Sequence, residues 1–277
     1  MPRFTKKNFR LFGLICCLLL LVSVLRRHAL LVTVAIAIPV NMEKVNLLCI
    51  PYSGGSKYSF APLIKKAPSN LNPVVLELPG RGGRSGEKLC DDIAVIEEDI
   101  FRRSLQFIKK PYAIYGHSMG GLLAFLLAKR IVQNGLPEPL YLFITGTTGP
   151  SVTIDHKYHL LNKRDFLEKI KSLKGMPDEI LNNADMMDYF EPIIRSDFKL
   201  SETYTYPSSA PLNVPISVIV GDEEDMDFED VKAWKRESSA EVAISKLPGS
   251  HFFIFEHAES IMRSFGEKVA MSFRRYI

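Results

Sequence analysis

The sequence is poor in cysteine, with four among its 277 residues, and it has no CxxC pair or Cys/His cluster at metal-ligand spacing. So few cysteines exclude a disulfide-built scaffold. The missing ligand pattern argues against a structural zinc site. Cys16 and Cys17 lie in the first forty residues, and Cys49 and Cys90 lie far apart in the rest of the chain. We therefore expect Cys49 and Cys90 to be free thiols, and we expect no metal.

The chain also lacks an excess of basic side chains outside its first 41 residues. It contains 35 basic and 31 acidic residues in all, and residues 1–41 hold six of the basic and none of the acidic ones. Residues 42–277 therefore carry 29 basic and 31 acidic side chains, a net charge of −2. A slightly acidic body offers no basic face for a phosphate backbone, so nucleic acid is not an expected partner.

No apolar run is long enough to cross a bilayer, which needs about 20 residues. Residues 11–25 form one run of 15 and residues 29–40 a second of 12. Arg26, Arg27 and His28 separate the two runs.

Three interpretations of residues 1–41 remain open. The small-x-small pattern at 35–37 is typical of a secretory cleavage site, although two arginines inside the apolar region are not. Residues 11–40 could instead anchor the chain to a membrane, with basic flanks at the interface. In the third interpretation Met42 is the true start, and residues 1–41 lie outside the working protein. In each case we expect one folded domain over residues 42–277.

Short apolar runs alternate with helix-like segments from residue 45 onward. Runs that predict buried strands occupy 45–50, 74–78, 112–115, 140–145, 216–220 and 242–247. Apolar residues at helical spacing predict long helices over 93–108, 120–134 and 258–276. This alternation predicts an α/β fold with a mostly parallel sheet and helices on both of its faces.

Residues 151–211, called the insertion below, interrupt this alternation. They contain no strand-like run, and 166–173, 178–183 and 184–198 are typical of short amphipathic helices. An insertion between two sheet strands has to pack on the outside of the domain. We expect it to cover one end of the sheet.

One motif indicates nucleophilic catalysis. Gly116-His117-Ser118-Met119-Gly120 matches the pattern G-x-S-x-G, and it lies directly between a predicted strand and a predicted helix. In that context the glycines permit a sharp turn that exposes the serine hydroxyl above the sheet. Ser118 is therefore the candidate nucleophile. His117 is adjacent in sequence, but neighbouring side chains diverge at such a turn, so we expect it to be structural.

A base and an acid should follow in the order serine, acid, histidine. His251 lies in the loop after the last predicted strand, at the sheet edge where α/β sites assemble. The acid should follow the strand at 216–220, where the loop is rich in carboxylates. We select Asp225 to accept the imidazole N–H, with Glu224 as the alternative.

An oxyanion hole should use two backbone N–H groups. One belongs to the residue after the nucleophile, Met119, and the other to the loop after an early strand. Residues 51–55 form that loop, called the oxyanion loop below, and Ser53 is its candidate donor.

Together these motifs resemble the type II thioesterases of nonribosomal peptide and polyketide synthesis, which are α/β-hydrolases. The resemblance covers 47 to about 255. It is carried by the following segments: Cys49-Ile50-Pro51-Tyr52-Ser53-Gly54-Gly55-Ser56, Leu78-Pro79-Gly80-Arg81-Gly82, Gly116-His117-Ser118-Met119-Gly120-Gly121, Arg195-Ser196-Asp197-Phe198, Trp234 and Pro248-Gly249-Ser250-His251-Phe252-Phe253. It implies an α/β-hydrolase fold in which the insertion is a mobile helical lid.

The resemblance also implies a Ser-Asp-His triad, carried here onto Ser118, Asp225 and His251. Counted from Gly221, the family aspartate falls on Glu224, and one extra loop residue would place it on Asp225.

The function implied is hydrolysis of acyl thioesters on phosphopantetheine carrier proteins through an acyl-Ser118 intermediate, as an editing enzyme without a cofactor. The expected partner is an acyl or peptidyl carrier protein. We expect a cytoplasmic monomer, with membrane association through residues 11–40 left open. Two alternatives also remain open: a membrane-tethered carboxylesterase or lipase, and a non-catalytic binding module of the same fold.

Overall fold

A computed structural model describes residues 44–276 except Pro177. The leader over 1–41 lies outside the described residues, and so do its signal and anchor interpretations and the start at Met42. No helix in the described part has the length and apolar character needed to span a bilayer.

In residues 44–276, six parallel strands form a single sheet in the order β2-β1-β3-β4-β5-β6. Their bounds are β1 Val45–Ile50, β2 Leu71–Val75, β3 Tyr112–His117, β4 Leu142–Thr145, β5 Ile216–Gly221 and β6 Val242–Leu247. The central strands β3, β4 and β5 are buried along their whole length, because helices cover both faces. The prediction of a parallel, two-sided sheet is confirmed.

Strand β2 begins three residues earlier than the prediction of 74–78. Its pairing with β1 runs from Val45 opposite Leu71 to Cys49 opposite Val75. Asn72 and Pro73 made this part of the chain unlike a buried strand. Proline is tolerated there because β2 lies at the edge of the sheet, where one side of the backbone needs no ladder partner.

The described residues form nine α-helices and three short 3-10 turns. The helices are α1 Lys57–Ile64, α2 Ile93–Ser104, α3 Met119–Gln133, α4 Lys163–Ser172, α5 Asp178–Leu181, α6 Ala184–Glu202, α7 Phe228–Lys232, α8 Phe253–Glu256 and α9 Ala258–Tyr276. The 3-10 turns are Gly82–Arg84, Tyr158–Leu160 and Ala233–Arg236.

Each face of the sheet has its own apolar core. Helices α2 and α3 cover one face, and α3 is buried almost all round because it lies between the sheet and other helices. Helices α1 and α9 cover the other face, where Phe265 of α9 stacks on Phe143 of β4 at 4.0 Å between ring centroids. The side-chain amide of Asn70 donates to the carbonyl oxygen of Gly266 at 2.9 Å and ties α9 to the start of β2.

The insertion follows β4 and contains helices α4, α5 and α6, with no strand in its described residues. Phe166, Ile170, Met187 and Ile194 form a small core of its own. Helix α6 also contacts α3 of the main domain. The insertion is therefore helical as predicted, and its movement as a lid stays a prediction.

Candidate active site

Ser118 lies at a sharp turn between β3 and α3, with a φ of 56° and a ψ of −125°. A non-glycine residue rarely adopts this backbone conformation, because it is energetically unfavourable. Contacts with the surrounding structure compensate for the strain. A Cβ atom on Gly116 would lie 1.9 Å from the carbonyl oxygen of Gly120, and one on Gly120 would lie 2.2 Å from that of Ile50. Both positions therefore need glycine. The turn places the Ser118 hydroxyl at the N-terminus of α3, where developing negative charge is stabilised.

His251 reaches Ser118 from the loop between β6 and α8. Its Nε2 lies 3.0 Å from the Ser118 Oγ, although the two residues are 133 positions apart. The loop that carries His251 is bonded to the acidic loop after β5, because the backbone N–H of Gly249 donates to Asp222 Oδ1 at 2.9 Å. The structure thus brings the candidate nucleophile and the candidate base within hydrogen-bonding distance.

The carboxylate that contacts Nδ1 of His251 belongs to Glu224 and not to Asp225. Glu224 Oε1 lies 2.5 Å from His251 Nδ1, and Glu224 Oε2 accepts from the backbone N–H of Gly221 at 2.7 Å. The Glu224 side chain is 3% exposed, whereas Asp225 is exposed to solvent. Selecting Asp225 for this contact was wrong, and the alternative, Glu224, makes it, because the Glu224 side chain folds back onto the backbone N–H of Gly221 while Asp225 stays exposed.

These contacts determine which nitrogen of the His251 imidazole carries the proton. A carboxylate accepts only, so Nδ1–H of His251 donates to Glu224, and Nε2 is left to accept the proton of Ser118.

His117, which we expect to be structural, is fully buried next to the site. Its Nδ1 lies 2.9 Å from the hydroxyl of Thr145, and its ring packs against that of His251 at 4.9 Å between centroids. Burial lowers the pKa of His117 well below its ordinary value, and the charge of a protonated His251 lowers it further. A neutral ring at this position does not oppose the formation of an imidazolium at His251.

A pocket of about 720 Å³ opens over Ser118 and His251. Ser53 and Met119, the candidate oxyanion donors, both line it. Met119 is the first residue of α3, so its N–H has no acceptor within the helix. The insertion supplies much of the apolar wall, through Met176, Ile180, Phe190, Ile194 and Phe198. The arrangement places a pocket with an apolar wall beside the Ser118 hydroxyl.

In the part of the chain that the structure describes, no group of three or more His, Cys, Asp or Glu side chains is arranged to hold a metal ion. Cys49 is buried and Cys90 is partly exposed, and neither is in a disulfide.

Sequence reasoning missed one contact beside the site. Arg81 and Asp197 form a buried ion pair, and Asp197 Oδ2 also accepts from the backbone N–H of Gly54 in the oxyanion loop at 2.7 Å. Both side chains lie in motifs that carried the resemblance, which was the only signal available in the sequence.

Comparisons with known proteins show which family the chain resembles. Residues 45–269 match the family model of a thioesterase domain. The gramicidin S biosynthesis protein GrsT of Aneurinibacillus migulanus is 32% identical over 218 residues, which are 78% of this chain and 85% of that protein. The medium-chain S-acyl fatty acid synthase thioesterase of Homo sapiens is 31% identical over 229 residues, which are 79% and 84% of the two chains.

Among solved structures, the RedJ thioesterase from the prodiginine pathway of Streptomyces coelicolor superposes with a TM-score of 0.76 at 28% identity. The superposition covers 81% of this chain and 85% of that one.

Proposed function

This chain belongs to the thioesterase family, and we propose that it hydrolyses acyl thioesters carried on the phosphopantetheine arm of carrier proteins. Its sheet and helices are those of the α/β-hydrolase fold. Relatives named for gramicidin S and prodiginine biosynthesis support a role beside a peptide or polyketide synthase. The observation that carries the proposal is the hydrogen-bonded series Ser118, His251 and Glu224 at the floor of an apolar pocket.

The first half of the reaction transfers the acyl group to the enzyme. His251 Nε2 takes the proton of the Ser118 hydroxyl as the oxygen attacks the thioester carbonyl carbon. The backbone N–H groups of Met119 and Ser53 stabilise the oxyanion that forms. When the intermediate collapses, the C–S bond breaks, and the thiolate receives the proton held by His251. A thiol with a pKa of about 8.5 is a good leaving group, so it needs little acid assistance.

The second half releases the acid. Water enters the site, His251 removes one of its protons, and the hydroxide attacks the ester carbonyl of acyl-Ser118. Collapse returns the proton to the Ser118 oxygen and frees the carboxylic acid. Glu224 stabilises the imidazolium in both halves and holds the tautomer that can accept a proton from Ser118.

The test is hydrolysis of a panel of acyl-carrier proteins and acyl-N-acetylcysteamine thioesters by the wild-type chain and by Ser118→Ala. We expect kcat to fall by about 10⁶-fold in this variant, with the thermal midpoint preserved. Ser260→Ala is the matched control, because Ser260 is exposed on α9 and its hydroxyl donates to the His257 carbonyl oxygen. Turnover retained in Ser118→Ala would refute the nucleophile.

The same panel separates the alternatives. Oxygen esters hydrolysed much faster than thioesters would indicate a carboxylesterase. A wild-type chain that neither turns over substrate nor reacts with a fluorophosphonate probe would indicate a binding module.

A further inference from the structure

The strongest feature that the proposed chemistry leaves unused is the buried contact between the insertion and the oxyanion loop. Asp197 lies on α6 and is fully buried, and Arg81 is 2% exposed in the loop that follows β2. Arg81 makes a bidentate pair with Asp197, with Nη2 to Oδ1 at 2.8 Å and Nη1 to Oδ2. Asp197 Oδ2 also accepts from the backbone N–H of Gly54. One carboxylate therefore joins three separate segments of the chain.

The oxyanion loop forms a tight turn, and the contact with Asp197 can stabilise one conformation of that turn. The N–H of Gly55 donates to the carbonyl oxygen of Tyr52 at 2.8 Å, and Gly54 has a φ of +78°. These are the features of a type II turn, with Ser53 and Gly54 as its central residues. In such a turn the peptide group between Ser53 and Gly54 can adopt two opposite orientations. The hydrogen bond from the Gly54 N–H to Asp197 stabilises one of these orientations.

Helix α6 also restrains this turn by packing against it. A Cβ atom on Gly54 would lie 2.6 Å from the Cγ1 atom of Ile194, so the helix packs directly on the turn. Ile194 and Asp197 are three residues apart and share one face of α6. One helix face thus supplies both the packing surface and the hydrogen-bond acceptor for the turn that carries Ser53.

We propose that Asp197, held by Arg81, is a positioning residue that fixes the turn around Ser53 and Gly54 and thereby keeps the neighbouring Ser53 N–H directed at the reacting carbonyl oxygen, so that the insertion completes the oxyanion hole. The inference rests on the proposed function, because it assigns a role within that reaction. It follows from preorganisation: a donor stabilises a developing charge most when it is already fixed in place. The part of α6 around Asp197 is then a fixed support for the site.

The test compares Asp197→Asn with the wild-type chain. In this variant the amide oxygen can still accept from the Gly54 N–H, but the NH₂ group faces a guanidinium nitrogen of Arg81 and cannot accept from it, so Arg81 no longer holds the side chain in place. Glu191→Gln is the matched control, because it removes a carboxylate from the same helix and breaks an ion pair with Arg195. Active sites are counted with a fluorophosphonate probe before rates are compared.

We expect kcat on an acyl-N-acetylcysteamine to fall at least about tenfold in Asp197→Asn, since loss of a whole oxyanion donor costs about 10²–10³. KM should stay unchanged. The affinity for an acyl trifluoromethyl ketone, whose serine adduct carries the oxyanion, should fall by the same factor as kcat. Glu191→Gln should keep both values. A lower thermal midpoint with unchanged kcat and inhibitor affinity would overturn the proposal, since that is the result of a purely structural ion pair.

Hydrogen exchange separates failure of this inference from failure of the proposed function. Amides of residues 51–56 should exchange faster in Asp197→Asn than in the wild-type chain and in Glu191→Gln, under conditions where all three are folded. If the wild-type chain proves inactive on every ester and thioester, the proposed function fails, and the contact is judged by exchange alone. Equal exchange in all three chains would overturn it.

Discussion

Exchanging the carboxylate of Glu224 for an amide is the sharpest test of the proposed site. In Glu224→Gln the side chain keeps its shape, but one of its two oxygens becomes an NH₂ group. A buried backbone N–H without an acceptor costs about 1–3 kcal/mol, so the remaining oxygen stays on the N–H of Gly221. The NH₂ group then faces Nδ1 of His251, and that nitrogen has to become an acceptor.

The tautomer of His251 is thereby reversed. Its Nε2 carries the proton, and it cannot accept another from the Ser118 hydroxyl 3.0 Å away. A reversed tautomer in such a triad lowers kcat by about 10⁴-fold, which corresponds to about 5 kcal/mol in the activation barrier. The change is isosteric, so KM and the thermal midpoint should move little.

Asp225→Asn is the matched comparison, because it makes the same chemical change one residue later on an exposed side chain. We expect its kcat to stay within a few-fold of the wild-type value. The assay is steady-state hydrolysis of an acyl-N-acetylcysteamine with thiol detection. A larger fall in Asp225→Asn than in Glu224→Gln would refute the assignment of the acid.

Three further outcomes are expected. Gly120→Ala should reduce the free energy of unfolding by about 3 kcal/mol or more in chemical denaturation, because its new Cβ would meet the backbone carbonyl of Ile50 at 2.2 Å. A wild-type midpoint in that variant would contradict the packing at the turn. The folded chain holds the pKa of His117 below its ordinary value of 6.5, so the unfolded chain binds this proton first as pH falls. The stability associated with His117 is therefore fully present above about pH 6.5 and is lost as pH falls toward the pKa of His117 in the folded chain. In His117→Gln, the free energy of unfolding from denaturation curves should differ less between about pH 7.5 and pH 5 than in the wild-type chain. An equal difference in the two chains would argue against a buried neutral ring. Burial raises the pKa of the Cys49 thiol, so iodoacetamide should alkylate Cys90 long before Cys49 in the native protein, as peptide mass spectrometry can measure. Equal labelling of the two would indicate that β1 opens readily.

The sequence predicted the sheet well because its strands are buried on both faces and appear as continuous apolar runs. Strand β2 was the exception, since an edge strand needs fewer apolar residues and tolerates Pro73. The proximity of Ser118 and His251 could be predicted because each follows a strand, and the carboxyl ends of parallel strands meet at one edge. In both cases a local pattern was sufficient.

The acid could not be assigned in the same way. Residues 222–225 are all carboxylates, and composition does not say which of them faces inward. That choice depends on the turn, where the N–H of Asp222 donates to the Leu247 carbonyl oxygen and that of Glu223 to the Gly249 carbonyl oxygen. The pair of Arg81 and Asp197 was missed for a related reason, because a contact across 116 positions leaves no periodicity in either segment.

The position of α9 has a consequence for how the protein is made. This helix ends at Tyr276, yet it covers a core that includes Phe60 and Tyr115 from the first half of the chain. During synthesis, this face of the sheet therefore stays only partly covered until residues 258–276 have left the ribosome. Nascent chains of this protein should need a chaperone that shields apolar surface until α9 has packed on the sheet. A chain without residues 258–277 should therefore aggregate instead of forming a smaller folded domain.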